Sequence, residues 1–554
     1  MKTLQTTITK KIGFFYLQFF LICFSVNAQN NWVFDQSFGD NGIKRINFGP
    51  NYNDIPNDIL LMPNGKILVA GISRDNMSYY IAITQLLPNG QLDTAGFGDG
   101  GKVSHHFVLR DHANAIELQS VQSDVKILVT GAEAEGNGGS QITPSLYRFN
   151  ADGSLDTTFA ANGRAVHRFK GNYSGEMYGV KVLSDGNILT AGYRTGSGAF
   201  GLMRFNSVGG RDLSFGDQGE AVLPFVGTFH PIGCLFLGDS AVVMATVAFA
   251  NGMSQFALAM MDRFGNPVST FGDNGIVLTE KDGKYNYSGG ESLLLTNDGK
   301  ILLSGTTPDS GPTNFIVGRF LLDGTIDPTF GNNGWAEIHF AENFDICYDM
   351  KVDSQGRILL VGGVSVGYGM AGLARLNSDG TPDTTFAPDG KFILDLNNNS
   401  GTHYLTHCIP LDNGDILAAG YDFHSNSGDF MVTRLTQNPT GVEVSNSEVP
   451  TDFVLHQNYP NPFNPSTKIK FTIPTPPSSS PLSKGRNEVG FVTLKVYDVL
   501  GNEVATLVNE YKPAGNYEVD FQSTVNNHQL ASGVYFYTLR AGSFVETKKM
   551  ILLR

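Results

Sequence analysis

The chain has 554 residues, a formal net charge of −14 and 41% hydrophobic residues. Charged residues make up only 16%, and the 65 glycines are typical of a protein with many tight turns. The length allows more than one core. An acidic balance without basic blocks excludes nucleic acid and anionic membranes from the expected partners.

The first 28 residues have the features of a secretory signal peptide. Residues 1–11 contain three lysines, the apolar residues 12–26 follow, and small residues lead up to Ala28. We expect cleavage between Ala28 and Gln29. No membrane insertion is expected afterwards, because the apolar stretch is shorter than the ~20 residues that a span needs. Removal of the three lysines changes the balance from 38 − 52 = −14 to 35 − 52 = −17.

One short phrase then recurs seven times, with an acid in most copies, two mostly small residues, a phenylalanine and a turn rich in Gly, Asn and Asp. The phenylalanines are 56 to 62 residues apart, a period that is typical of solenoids, propellers or arrays. We expect their rings to wedge between neighbouring repeats, because an aromatic ring buries much area. They are Phe38, Phe97, Phe159, Phe215, Phe271, Phe330 and Phe386.

Each period also carries a short apolar run, as in residues 66–71 (KILVAG), with an alternating stretch before it and an extended stretch after it. Together with the stretch after the turn, these predict four strands. Four short strands in a period of this length favour a propeller blade over a solenoid coil. We therefore predict an all-β fold with a seven-bladed β-propeller over residues 29–437, closed by packing of the last blade on the first. The predicted repeats are 35–92, 93–155, 156–211, 212–267, 268–326, 327–382 and 383–437.

The acids in the turns allow two interpretations. Residues 150–156 and 377–383 space oxygen atoms as a calcium site does. Structural turns need the same residues, because Asp and Asn bond to their own turn backbone and Gly supplies positive φ. We predict structural turns and no cofactor, with calcium as the alternative.

Positions at which the repeats differ are the better functional candidates. Just before the apolar runs lie Asp58, Asn114, Glu291, Asp349 and His407, which alternation places opposite the apolar side. If this strand lines a central channel, these side chains form a polar ring that can hold a cation, a sugar or an amine. A solvated channel without a ligand is the alternative. The sequence has no HExxH, CxxC, GxSxG or Walker motif, so no catalytic or metal-ligating residues are predicted.

The periodicity ends after residue 435, and the polar residues 438–452 read as a linker. Residues 453–554 show the alternation of a second, smaller β domain. Their phrases resemble, in order and at natural spacing, the C-terminal sorting domain of bacterial type IX secretion cargo. These phrases are NYPNPFNPST from Asn458, VTLKVYDVLGNEVATLV from Val492, PAGNYEVDF from Pro513, LASGVYFYTLRAG from Leu530 and KKMILLR from Lys548.

This resemblance implies a small immunoglobulin-like sandwich that the type IX secretion machinery recognises at the outer membrane. It implies a protein that passes the periplasm and the outer membrane and is then secreted or held at the cell surface. Residues 474–490 form a longer Pro/Ser-rich connection than the family usually has. The sorting-motif residues are Tyr459, Pro460, Asn461, Pro462, Gly533, Val534, Tyr535, Lys548 and Lys549.

The repeats themselves resemble the delta-60 repeat of secreted bacterial β-propellers, through their DxxFGxxG and DGKILVAG phrases. That family has no established common activity, so the match implies a fold and not a function. We favour a noncatalytic binding module for a glycan, protein or polymer. One alternative is a secreted lyase or glycosidase with acids at the propeller mouth, for which a glycosidase needs two carboxylates at a suitable separation. A structural adhesin or matrix component is the other.

Overall fold

The structure is a computed structural model in which every element of the described residues is a β-strand, which confirms the all-β prediction. The chain divides into two compact units, Met1–Gly441 and Val442–Arg554. The described part contains no helix with the length and apolar character that a membrane crossing requires. The predicted signal peptide with Ala28 and Gln29, the linker and Glu291 lie outside the described residues. These are 32–50, 52–75, 77–122, 124–135, 141–196, 199–224, 231–250, 253–282, 292–307, 312–340, 344–365, 369–394, 402–424, 427–437, 453–474, 491–511, 515–525, 528–541 and 544–553.

The first unit opens with two short strands, and the strands that follow come in sets. Strands β1 (Trp32–Phe34) and β2 (Ile43–Ile46) come first. Set 1 is β3 (Asn53–Leu61), β4 (Ile67–Arg74), β5 (Tyr79–Leu86) and β6 (Lys102–His105); set 2 is β7 (Arg110–Val121), β8 (Asp124–Glu135), β9 (Gln141–Asn150) and β10 (Arg164–Val166); set 3 is β11 (Gly175–Val182), β12 (Ile188–Arg194), β13 (Ala199–Phe205) and β14 (Glu220–Pro224); set 4 is β15 (Pro231–Leu237), β16 (Ala241–Ala250), β17 (Met253–Asp262) and β18 (Ile276–Asp282).

The remaining sets repeat this order. Set 5 is β19 (Leu293–Leu295), β20 (Ile301–Thr306), β21 (Phe315–Phe320) and β22 (Trp335–Ile338); set 6 is β23 (Asp345–Val352), β24 (Ile358–Val364), β25 (Met370–Leu376) and β26 (Lys391–Leu394); set 7 is β27 (Thr402–Pro410), β28 (Ile416–His424) and β29 (Ser427–Gln437), with β2 as its fourth strand.

Within each set, neighbouring strands pair antiparallel. Each first strand contacts the first strand of the next set, and β27 contacts β3, so these inner strands form a closed ring. We interpret each set as one blade of a propeller, and the predicted number of seven stays an interpretation of these pairings. Apolar clusters lie between adjacent sets, as with Val243 and Phe256 of set 4 against Ile301 and Phe320 of set 5. The middle strands are buried on both faces for this reason, which explains their continuous apolar runs.

The sheets are offset from the predicted repeats. The strand after each FGxxG turn pairs with the third strand of the preceding set and so joins the sheet before the turn. Strand β6, for example, lies in the predicted repeat 93–155 but is the last strand of set 1. In set 7 the fourth strand is β2, which pairs with β29 although almost the whole first unit separates the two strands in sequence. Ile46, for example, pairs with Phe430. The ring is therefore closed by strand pairing, beyond the predicted packing of last blade on first. This pairing covers an edge of β29 that would otherwise be open.

The recurring phrase links adjacent sets through an arginine, an aspartate and a phenylalanine, which we call the latch. In set 5 these residues are Arg319, Asp327 and Phe330. Arg319 Nε donates to Asp327 Oδ2 at 2.9 Å, and the guanidinium lies 4.7 Å from the centre of the Phe330 ring. The same arginine donates to the Ser378 carbonyl in the next set. Both charged side chains are buried, at 8% and 5% exposure, so each depends on the other. The same trio recurs as Arg148–Asp156–Phe159, Arg204–Asp212–Phe215, Arg375–Asp383–Phe386 and Arg434–Asp35–Phe38.

The latch also explains the glycine in the turn of the next set. Gly331 N donates to the Asp379 carbonyl at 2.7 Å, which brings the two turns together. Gly380 has a φ of +87°, and a Cβ on it would lie 2.9 Å from the Phe330 ring. A side chain at position 380 would therefore meet both a strained backbone and a ring.

Set 4 lacks the charged latch altogether. The latch of set 5 also includes Lys300, whose Nζ lies 3.0 Å from Asp327 Oδ2. By strand register, Ala241, Met260 and Val268 occupy the places of Lys300, Arg319 and Asp327. The three apolar residues belong to, or pack against, the core between sets 4 and 5. An acid that has lost its partners would be buried and unpaired, so the three positions change together.

The second unit has two larger sheets around one core. One contains β30 (Val454–Leu455), β31 (Ser466–Ile473) and β34 (Gly515–Gln522); the other contains β32 (Phe491–Tyr497), β33 (Glu503–Tyr511), β37 (Gly533–Ala541) and β38 (Phe544–Leu552). A short hairpin pairs β35 (Thr524–Val525) with β36 (His528–Gln529). Alternate residues of both sheets, such as Phe471 and Tyr537, fill the core. The immunoglobulin-like character of this unit stays a prediction.

Candidate functional site

The inner strands share a β-bulge near their middle. One extra residue interrupts the register with the second strand in six sets, as Asn57 does between Pro56 and Asp58. A bulge turns a side chain out of the regular alternation and leaves backbone groups without a ladder partner. The extra residues are Asn57, Asn114, Tyr178, Ile232, Tyr348 and Thr406.

Side chains at the bulges join neighbouring inner strands. Asn57 Nδ2 donates to the Ala113 carbonyl at 2.9 Å, and Asn114 Nδ2 donates to the Met177 carbonyl at 3.0 Å. Thr406 Oγ1 likewise donates to the Pro56 carbonyl at 3.3 Å, where set 7 meets set 1. Each acceptor lies directly before the next bulge, so the bonds form one repeated seam.

The residue after the bulge adds a second seam where it is an aspartate. Asp58 Oδ2 accepts from Ile116 N at 2.9 Å, and Asp349 Oδ2 accepts from Cys408 N at 3.1 Å. Each carboxylate thus satisfies a backbone N–H of the next inner strand. These contacts give both acids a structural task, and their predicted role in ligand binding stays a prediction.

The strand register separates the predicted polar ring into two positions. Asp58, Asp349 and His407 follow a bulge, whereas Asn114 is itself a bulge residue and bonds between sets 2 and 3. Alternation alone does not distinguish these two positions, because a bulge shifts the alternation by one and the sequence does not mark where it falls. The polar ring itself stays a prediction. Glu291 is outside the described residues.

Three of the predicted residues come together where sets 6, 7 and 1 meet. Lys351 Nζ lies 2.7 Å from both carboxylate oxygens of Asp349. Burial raises the pKa of Asp58, with a smaller contribution from the Asp349 carboxylate, while the Ile116 N–H and Lys351 oppose the rise, and the resulting pKa is about 7. Burial lowers the pKa of His407 to about 4, so this imidazole is neutral at pH 7. The group holds one ion pair, one carboxyl that titrates near neutrality and one neutral imidazole.

The raised pKa of Asp58 makes stability depend on pH. A carboxyl whose folded pKa of about 7 lies above its unfolded value of 3.8 stabilises the fold below pH 4, and this contribution is lost as the pH rises through 7. In Asp58→Asn the loss is absent, so the variant should gain roughly 3 kcal/mol relative to the parent between pH 5 and 8, at about 1.4 kcal/mol per pH unit over the two units from pH 5 to 7. Urea unfolding at four pH values measures this difference.

Asp239→Asn is the control for that experiment. The Ser184 hydroxyl and N–H hold the pKa of the Asp239 carboxyl below its usual range. Its difference from the parent should stay flat from pH 5 to 8. An equally flat difference for Asp58→Asn would contradict the raised pKa.

The acids of the turns are held by their own turns. Asp152 Oδ1 accepts from the N–H and hydroxyl of Ser154, at 2.9 and 2.6 Å, and Asp379 bonds to Thr381 in the same way. Among the described residues, no three His, Cys, Asp or Glu side chains are placed to hold a metal ion. Calcium binding stays an untested alternative.

A second polar group, which was not among the predicted site residues, lies near the beginning of the inner strands. His112 and Glu176 each lie two residues before a bulge, in sets 2 and 3, and His112 Nδ1 is 2.8 Å from Glu176 Oε1. Asn114 Nδ2 donates to the same oxygen at 2.8 Å. Ile55 and Ile346, which occupy the same position in sets 1 and 6, are apolar. A comparison of the repeats at this position would therefore have identified His112 and Glu176 as unusual.

The parts of the predicted sorting motif meet in the second unit. Asn461 Oδ1 accepts from Ile551 N at 2.9 Å, and Phe463 N donates to the Ile551 carbonyl at 2.9 Å, so the Pro-rich segment lies along the terminal strand β38. The Gly533–Tyr535 end of β37 pairs with the Met550–Leu552 end of β38, and Lys548 and Lys549 continue that pairing. Tyr459, whose backbone bonds to Lys468 of β31, is 81% exposed. The motif therefore builds one side of the unit and leaves an aromatic ring accessible.

Family models match both parts of the chain. The model described as the secretion system C-terminal sorting domain matches residues 457–553. The model described as a domain of unknown function (DUF5122) beta-propeller matches residues 63–95, 122–159, 183–215, 296–330 and 355–386. The chain is a secreted β-propeller protein with a type IX sorting tail. The tail directs this secreted propeller to the cell surface or the medium and engages the type IX secretion machinery.

Solved structures of several kinds are similar to the secreted propeller. A protein of unknown function from Dyadobacter fermentans is 11% identical, with 72% of this chain and 98% of that chain covered and a TM-score of 0.39. Drosophila Semaphorin 2a is 8% identical, with 92% and 98% covered and a TM-score of 0.39. A PL25 ulvan lyase bound to -[GlcA(1-4)Rha3S]- is 11% identical, with 73% and 95% covered and a TM-score of 0.40. Likenesses at this level carry no argument about activity. No curated protein matches the sequence.

Proposed function

We propose that the secreted propeller is a noncatalytic binding module for an extracellular glycan, protein or polymer. The observation that supports this is that two acids of the predicted polar ring, Asp58 and Asp349, form structural contacts between inner strands. Asp58 and Asp349 both hold a backbone N–H of the neighbouring inner strand, and Asp349 is also ion-paired with Lys351. Groups engaged in this way favour a rigid ring over reacting groups, and rigidity lowers the entropic cost of binding.

One observation favours an enzyme as the second candidate. Asp58 has a raised pKa beside Asp349, and two carboxyls with different environments are a common arrangement of acid and base in glycosidases. Cleavage of a polysaccharide that Asp58→Asn abolishes would establish this alternative.

The test is a binding screen on residues 29–554 against glycans and polysaccharides, with and without calcium. We expect saturable binding, with the ligand recovered intact and with no new reducing or unsaturated sugar ends. Asp349→Ala and His407→Ala ask whether the channel ring takes part. Unchanged binding in both variants rejects the ring as the site, and cleavage of the bound polymer rejects the noncatalytic module.

A further inference from the structure

A cationic group surrounds one tyrosine at the end of set 1 where its third strand begins. The Tyr79 ring centre lies 5.8 Å from the Arg74 guanidinium, 5.2 Å from the Arg110 guanidinium and 5.5 Å from the His112 ring, which is stacked on it. Arg110 begins the inner strand of set 2 and pairs with Tyr79. We call these four residues the Tyr79 cluster. It gathers positive charge in a chain whose net charge is −14.

His112 is oriented with one nitrogen occupied and the other available. Its Nδ1 contacts Glu176, and its buried Nε2 has no hydrogen-bond partner among the described residues. The same holds for Arg110 Nε. Burial lowers the pKa of His112, but the Glu176 carboxylate more than offsets this and the net pKa is raised. A protonated imidazole would present an N–H at Nε2, so the cluster offers two donors that lack an acceptor.

Most carboxylate oxygens around the cluster are already engaged, and the exception is the buried Asp111 Oδ1, which has no hydrogen-bond partner among the described residues. Glu176 accepts from His112 and Asn114, and Asp111 Oδ2 accepts from the N–H groups of Phe107 and Val108. Asp75 accepts from its own turn and from the Tyr80 hydroxyl, at 3.1 Å. These contacts leave Arg110 Nε and His112 Nε2 without an acceptor among the described residues, so the charges of the two side chains are only partly compensated.

Tyrosines stand near the same height on other inner strands. Tyr178 is the bulge residue of set 3, and its ring centre lies 6.2 Å from that of Tyr193. Tyr404 of set 7 occupies the position that corresponds to His112, and its ring centre lies 6.0 Å from that of Tyr348. A tyrosine presents an apolar ring together with a polar hydroxyl. Such side chains suit the apolar faces and hydroxyl groups of sugar rings better than they suit a bare inorganic anion.

We propose that the Tyr79 cluster and the adjacent inner-strand tyrosines bind an acidic polysaccharide, with the positive charges of Arg110 and His112 attracting the carboxylate or sulfate of one sugar unit. This inference rests on the proposed binding function and names its ligand class and its site. Glu176 orients His112 and acts as a positioning residue.

The test compares binding of polygalacturonate, which is carboxylated, a sulfated carrageenan and neutral dextran to residues 29–554 by calorimetry. We expect saturable binding of at least one acidic polymer and none of dextran, with weaker binding at higher salt. Arg110→Gln and His112→Gln should each weaken the binding at least tenfold. Arg263→Gln is the matched control, because the Arg263 guanidinium also lies over an aromatic ring, 5.1 Å from the centre of the Phe264 ring. Arg263 lies in the turn after the third strand of set 4, whereas Tyr79 lies at the beginning of the third strand of set 1.

The outcomes separate this site from the broader function. Tight binding of a neutral glycan or a protein that Arg110→Gln leaves unchanged would keep the binding module and reject the site. Failure of both acidic polymers to bind, or equal weakening by Arg263→Gln, would also overturn it. Thermal unfolding of each variant identifies any loss caused by misfolding, and Arg110→Gln decides the matter if His112→Gln is unstable. The polymer that binds distinguishes a carboxylate site from a sulfate site.

Discussion

Asp327→Val should lower the free energy of unfolding of the propeller by about 3 kcal/mol, because it leaves Arg319 buried and without its partner. Arg319 is 8% exposed and also bonds to the Ser378 carbonyl of the next set, so it cannot turn to solvent without opening that contact. Urea unfolding of the parent and the variant measures the loss.

Set 4 supplies the control for this experiment. The triple variant Lys300→Ala, Arg319→Met and Asp327→Val copies Ala241, Met260 and Val268, so it should recover most of the lost stability. Replacing a buried ion pair by packed apolar groups is often neutral, whereas removing one partner is not. A triple variant as unstable as Asp327→Val would show that the charges are not coupled in this way.

Deletion of residues 453–554 should stop export completely and leave the propeller in the periplasm. The tail forms its own compact unit with its own core, so its removal should leave the first unit folded. Cell fractionation and immunoblotting locate the truncated chain, and protease resistance shows whether the propeller is intact.

The reciprocal experiment attaches residues 453–554 to an unrelated periplasmic protein. Its appearance at the cell surface or in the medium would show that the tail is sufficient as an address. Release of the truncated propeller, or retention of the fusion, would contradict the role of the tail.

The sequence predicts the strands of this protein better than their partners. The apolar runs and the FGxxG turns place the strands correctly because period and burial are local properties. The sheet to which β6 belongs depends on pairing between distant residues, and β2 pairs with a strand at the far end of the unit. Local patterns carry no information on that choice.

The candidate site shows the same limit at the level of single residues. Alternation assigned Asp58, Asn114 and Asp349 to one face, whereas the structure places Asn114 within the bulge itself, where its side chain bonds to the Met177 carbonyl. The Tyr79 cluster was not predicted because its four members come from three different strands, β4, β5 and β7. Side chains that meet only through tertiary structure leave no spacing in the sequence to recognise.

The pairing of β2 with β29 also has a consequence for the order of events during synthesis. Ile43–Ile46 is made early, and its partner Ser427–Gln437 is made almost at the end of the propeller. The sorting domain follows that partner, from residue 453. A chain interrupted before β29 therefore lacks both the strand that completes the ring and the address for export. Secretion through the tail thus admits only chains that contain every part of a closed propeller.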